Sequence, residues 1–269
     1  MENEIKSTGQ NPVKKNKLIK AGVITLTSLF LIYYVTLAVL APFKTITTIE
    51  NAFKFEDTIL IQLMNIDEYA DSLARLSSQI KSRIEAAELD SINCLINMKD
   101  CTINLELEGV TIHSAKITKM EYSEIFNRIN HESKYAYLST PFYSISYIST
   151  IPKVPIVVKN APRDTAEANM MNTVPVPPPV DYVNYTFLFD KPLRLTISQN
   201  EPPAEHHRYS SYKNRLGSQA NYVKSIFQSA VRFQVPEYTP WITIEVKQDD
   251  AKTIFRALPQ NAALVLVMD

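Results

Sequence analysis

Glycine is almost missing from this chain, with four in 269 residues, at positions 9, 22, 109 and 217. They stand too far apart for G-x-G-x-x-G, G-x-x-x-x-G-K-[ST] or G-x-S-x-G to be written anywhere. That argues against a P-loop, an ordinary Rossmann dinucleotide site and a nucleophile-elbow hydrolase. Charge of one sign is missing too, since 28 Lys and Arg balance 28 Asp and Glu, so no whole-molecule field steers the protein onto nucleic acid. Cysteine is limited to Cys94 and Cys101, with no C-x-x-C pair and no zinc-finger spacing. Disorder is excluded by an apolar content of 45%.

The four histidines, His113, His131, His206 and His207, include no i, i+4 pair. The adjacent His206 and His207 diverge in an extended chain, which favours a solvated loop over a metal site. His113 is expected to face solvent or to pair with Glu106. Asp249 and Asp250 read as the start of a helix, where negative charge complements the dipole. Glu106 and Glu108 lie two apart on one strand face and read as exposed. The sequence therefore gives no catalytic residue, no metal ligand and no cofactor site, and the expectation is a protein that is not an enzyme and binds neither nucleotide nor nucleic acid.

What the chain does have is one long uncharged run. Residues 21–43 (AGVITLTSLFLIYYVTLAVLAPF) carry no charge between Lys20 and Lys44, and a helix of that length covers roughly 34 Å, enough for a hydrocarbon core of about 30 Å. Lys6, Lys14, Lys15, Lys17 and Lys20 precede the run, so the positive-inside rule places residues 1–20 in the cytoplasm and everything after Phe43 outside. A cleaved signal peptide is the alternative. The run exceeds the usual apolar region of such signals, and Pro42 after Ala41 opposes cleavage there. Five of the 28 basic and two of the 28 acidic residues precede Lys44, which leaves 23 against 26 in the exported part.

Beyond the span, residues 44–90 form a juxtamembrane segment. From about Asp67 to Leu89 apolar side chains recur at Leu73, Leu76, Ile80 and Ile84, the pattern of an amphipathic helix. Barely two heptads are present, so the stripe is expected to pack on its own domain rather than in a coiled coil. Residues 91–160 read as an α+β subdomain. A tight hairpin about Asn97-Met98 would set Cys94 opposite Cys101, so a disulfide is expected there. A second hairpin turns at Glu108-Gly109, a helix is expected over roughly 119–131, and strands around 142–149 and 154–159 follow.

Residues 161–180 include five prolines and read as a linker or lid, with the polyproline stretch as a ligand for a partner's aromatic groove in the alternative. Residues 181–269 read as a second α+β subdomain, with a hairpin at Asp190-Lys191-Pro192, a helix at about 218–232, a strand from Trp241, and a helix from Asp249 to Arg256 capped by Asp249 or Asp250. The terminal run Ala262 to Met268 reads as a strand buried on both faces, central in its sheet. The fold class is thus α+β: a single N-terminal transmembrane helix, then an exported domain of mostly antiparallel sheet with two to four packed helices.

Tyrosine is the one clustered residue type. Tyr143 and Tyr147 share a predicted strand face with Ile145, and with Leu73, Leu76, Ile80 and Ile84 they are the candidate partner surface. The layout resembles, in topology alone, bitopic inner-membrane components of bacterial secretion, conjugation and division machines. The resulting expectation is a bacterial inner-membrane protein whose periplasmic domain works as a scaffold or adaptor. Its expected partners are the membrane and other envelope proteins or a second copy. An anchored sensor or ligand-binding protein, and less so an anchored cell-wall hydrolase, are the alternatives.

Overall fold

A computed structural model describes residues 12–54, 67–153, 182–201, 228, 229, 232 and 234–268. Two compact units are present, one made of Met1–Thr45 and Ser218–Tyr238, the other of Ile46–Gly217 and Thr239–Asp269. The expected Pro-rich linker, the 154–159 strand, the connector carrying His206 and His207, and most of the expected 218–232 helix lie outside the described residues.

The first unit is built on the greater part of α1, Pro12–Ala52, a 41-residue helix whose residues up to Thr45 belong to it. From Lys20 onward it is long and apolar enough to cross a membrane. It continues past Pro42 to Ala52. Val23, Leu26, Leu29 and Leu31 are all more than half exposed, as lipid-facing side chains must be. The hydroxyls of Thr25, Thr27 and Thr36 donate to the carbonyls of Ala21, Val23 and Ile32 at 3.1, 2.9 and 2.8 Å, so these three hydroxyls are satisfied within the helix. At its outer end, Lys44 Nζ donates to Val235 O (3.2 Å) and Thr45 Oγ1 to Tyr238 O (2.8 Å).

The second unit holds one sheet of nine strands: β1 Asn93–Asn97, β2 Thr102–Leu107, β3 Val110–Lys116, β4 Lys119–Tyr122, β5 Phe142–Ser149, β6 Asn184–Phe189, β7 Arg194–Gln199, β8 Trp241–Val246 and β9 Ala263–Val267. Among the described residues four helices accompany it: α2 Glu68–Ala87, α3 Ile125–Arg128, α4 His131–Leu138 and α5 Gln248–Ala257. Strand order is β3-β2-β1-β9-β5-β6-β7-β8-β4. Only β1·β9 and β7·β8 are parallel. The α+β reading thus holds, with strands from residues 91–160 and 181–269 interleaved in one sheet. This is the layout of a bitopic membrane protein with a soluble, β-rich exported domain.

The two edge strands, β3 and β4, are consecutive in the chain and separated by Ile117 and Thr118 alone. In a flat sheet eight spacings would hold them roughly 38 Å apart, whereas the connection reaches about 10 Å. The sheet must curl until its edges meet. Ile117 N bonds Cys101 O and Thr118 N bonds Glu245 O, both at 2.8 Å, so the chain leaves the β2 side and joins β8 within one step. The opposite corner is β5, which pairs β9 at Phe142 and Tyr143, passes a bulge between Ser144 and Ser146, and then pairs β6. Bulges and bends of this kind let a strand switch sheets.

Inside the curl, the alternate residues Tyr185 and Phe187 of β6, Leu195 and Ile197 of β7, and Ile242 and Ile244 of β8 are fully buried. From α5, Phe255 reaches the same core, with ring centroids 4.8 Å from Tyr185 and 5.5 Å from Tyr147. The buried Tyr185 hydroxyl donates to Ala251 O (3.0 Å). As its continuous apolar pattern predicts, β9 lies centrally, between β1 and β5.

Three expectations are corrected. First, there is no disulfide: Cys94 and Cys101 are free thiols. Cys94 stands opposite Leu105, four residues or about 13 Å along β2 from Cys101, and a disulfide needs Cα atoms within about 7 Å. The cause is Asn97. Its Oδ1 accepts from the amides of Lys99 and Asp100 (3.1 and 3.0 Å) and its Nδ2 donates to Asp100 Oδ2 (2.7 Å), closing a four-residue turn over 98–101 in place of a two-residue one. Second, residues 119–122 form β4, with Met120 opposite Ile244. Only Ile125–Arg128 and His131–Leu138 are helical there. Third, the N-cap of α5 is Lys247, so Asp249 and Asp250 sit inside the first turn, and the amide of Gln248 is bonded by Glu201 Oε2 (2.9 Å). The β2–β3 turn is as expected, with Glu108 and Gly109 at φ 50° and 78°, the pair of positive angles a tight hairpin requires.

Burial pushes the Cys94 thiol up to about 12, with Glu106 adding to the rise. A maleimide is therefore expected to label Cys101 in the native protein and leave Cys94 untouched, and to label both after unfolding without reductant, read by intact mass. Replacement of Phe255 by alanine should cost about 3–5 kcal/mol of stability in urea unfolding, from the cavity opened in the aromatic core.

Candidate functional site

The surface that stands out is on α2. Asp67 caps this helix by accepting from Tyr69 N, with Glu68 and Asp71 in its first turn. Its inward face is a row of small residues, Ala74, Ser78, Ser82 and Ala86, each no more than 3% exposed. At i, i+4 spacing they form one stripe that lets the helix lie close to the sheet. Ala86 packs with Leu95, Ala263 and Val265.

Polar pins fix the helix in that rotation. Arg83 grips the buried Glu106 carboxylate with two hydrogen bonds, Nε to Oε2 at 3.0 Å and Nη2 to Oε1 at 2.7 Å, while Thr111 Oγ1 donates to Oε1 at 3.2 Å. Gln79 Nε2 donates to Met268 O (2.7 Å). At the other end, the Asp71 carboxylate accepts from the Tyr135 hydroxyl (2.9 Å) and lies 3.1 Å from His131 Nδ1. Burial and that carboxylate both hold the Tyr135 phenol well above the ordinary tyrosine range.

With the small residues turned inward, the large ones are left outside. Leu73, Leu76, Ile80 and Ile84 are 54%, 51%, 48% and 56% exposed, and at 100° per residue their stripe is opposite the buried one. The helix packs on its own domain through alanine and serine rather than through the expected leucine and isoleucine stripe. The apolar stripe is open, with Ser77, Lys81, Glu85 and Glu88 beside it on the same helix, and Leu76 and Ile80 also border a groove reaching Leu95, Asn104 and Thr111 of the sheet.

The two tyrosines of the expected surface part company at the β5 bulge. Tyr143 packs beside α2 and its hydroxyl donates to Glu85 Oε1 (3.2 Å). Tyr147 turns to Phe187 and Phe255, with ring centroids 6.0 and 5.5 Å away. Both are half-buried, and only Tyr143 adjoins the α2 face. Glu106 and Glu108 also separate: Glu106 is buried against Arg83, and Glu108 occupies the turn. His113 stands opposite Leu105, with Nε2 3.3 Å from Asp250 Oδ1.

A second feature carries no sequence signal beyond a turn lysine. Lys191 Nζ lies 4.3 Å from the Phe142 ring centroid, 5.6 Å from Tyr137 and 5.7 Å from Phe53. It donates to Tyr137 O (3.1 Å), Thr140 O (2.6 Å) and Thr140 Oγ1 (2.6 Å). The ammonium is thus saturated by three acceptors inside an aromatic cage, clasping the β6–β7 turn to α4 and to Phe53. Among the described residues no group of three or more His, Cys, Asp or Glu could hold a metal ion. No protein family, curated protein or solved structure matches the chain.

Burial pushes Lys191 down to about 8 from 10.5, against the upward pull of Asp190 and Glu85. Between those two values the unfolded chain holds the proton that the folded one has released, so stability rises with pH across that window by at most about 1.4 kcal/mol per pH unit. Below it both states are charged and the desolvation cost is fully present. Urea unfolding from pH 7.5 to 10.5 should show this rise in the wild type, and the rise should shrink in Lys191→Met.

Proposed function

We propose that this protein is a non-enzymatic scaffold or adaptor, held by α1 in a bacterial inner membrane with residues 1–20 in the cytoplasm and the domain outside it. It binds other proteins of an envelope machine for secretion, conjugation or envelope assembly. The observation that carries this reading is the outward stripe of Leu73, Leu76, Ile80 and Ile84 on a helix whose packing needs are already met by its other face. From Leu73 to Ile84 the stripe runs about 17 Å, three turns, a length over which two amphipathic helices pack apolar anchors against each other. The partner is accordingly a helix with leucine-type anchors from another envelope protein. The lysines before the span support the orientation.

The test is a photo-reactive residue at Leu76 of the full chain in intact membranes. A discrete protein adduct is expected, and it should disappear in the double variant Leu73→Arg, Ile80→Arg. Because those side chains are exposed, the stability of the variant domain should stay within about 0.5 kcal/mol of wild type. Adducts to lipid alone, or a protein adduct indifferent to the two arginines, would overturn the reading.

A further inference from the structure

The end of the span fixes the level of another stretch of chain. Lys44 is the first charge after 23 uncharged residues, so in a membrane its ammonium is at the headgroup level of the outer face. That ammonium donates to Val235 O at 3.2 Å, and the next residue, Thr45, donates to Tyr238 O at 2.8 Å. Two successive helix residues thus hold two carbonyls three residues apart, in the same compact unit as the span. We propose that residues 234–238 are a membrane-surface strap, lying in the headgroup layer of the bilayer that α1 crosses. The proposal rests on the reading of α1 as a membrane span.

A second argument limits the depth from the other side. Residues 234–238 are outside helix and strand, and Pro236 has no amide hydrogen to give. Irregular backbone facing lipid does not occur within hydrocarbon, so the strap cannot sink below the level at which Lys44 holds it. Its composition fits the layer: Val235 and Tyr238 are half-buried, Gln234, Glu237 and the nearby Arg232 are exposed, and tyrosine, with an apolar ring and a polar tip, is enriched at membrane interfaces. The ligand is the zwitterionic and anionic headgroup region itself, with no single lipid selected.

The full chain with Cys101→Ser, reconstituted in phosphatidylethanolamine–phosphatidylglycerol vesicles, carries a nitroxide at Glu237→Cys in one sample and at Leu31→Cys in another. Collision rates with oxygen and with a water-soluble nickel complex then give depth against headgroup-labelled and acyl-chain-labelled lipids. Glu237 is expected to match the headgroup label and Leu31 the acyl-chain label. If Leu31 reads acyl chain while Glu237 reads bulk water, or reads acyl chain itself, the strap is overturned and the anchor stands. If Leu31 reads water, the span fails and the strap fails with it.

Discussion

The two-residue step from β3 to β4 governs the domain. Ladder partners lie on both sides of that step, β2 behind and β8 ahead, and no extended chain reaches across an open nine-stranded sheet in the length available. Closure follows, and closure creates an inside. Once β6, β7 and β8 face back toward β1 and β2, the alternate positions of each strand share one interior. Phe255 and Tyr185 fill it, and the single hydroxyl that enters deepest finds a carbonyl of α5. The parallel pairings are the price of bringing β8 and β9, late in the chain, beside strands made much earlier. Contacts this distant in sequence make for slow assembly.

The same closure settles how α2 packs. A curled sheet has one convex side, and a helix lying on it is buried along one line of contact. Four small residues supply that line and two charged or polar pins at each end hold it, so nothing in the domain draws the larger side chains inward. An apolar stripe left over after packing differs from one that has merely failed to pack, because the rotation of the helix is fixed by Arg83 on Glu106 and Asp71 on Tyr135. The stripe is held outward rather than free to roll under.

How much of this was legible depends on whether the deciding interaction was local. The helix expected over about 67–89, the Glu108-Gly109 turn and the buried terminal strand follow from period and turn chemistry, and all are present. The disulfide expectation failed on a register, and the register was set by one side chain: Asn97 closes a longer turn and moves Cys101 four residues out of line. Met120 was misread because four strand residues and four helical ones in succession imitate a helical period. The face of α2 was misassigned because hydrophobicity marked the large residues, while Ala74, Ser78, Ser82 and Ala86 form an equally regular stripe defined by size. Lys191 was invisible for a different reason, since its cage is assembled from Phe53, Tyr137 and Phe142, up to 138 positions away in the chain.

The parallel pairing of β7 with β8 has a consequence for modularity. A crossover is obligatory there, and residues 200–240 form it, yet its stretch Ser218–Tyr238 belongs to the unit that contains the apolar helix. Anchor and domain are therefore threaded through one another in the chain, each interrupted by a piece of the other. A gene fragment cut after the span still carries Ser218–Tyr238, a part of the anchoring unit. Such an anchor is not exchanged by replacing the N-terminal stretch alone, because Ser218–Tyr238 stays behind with the domain.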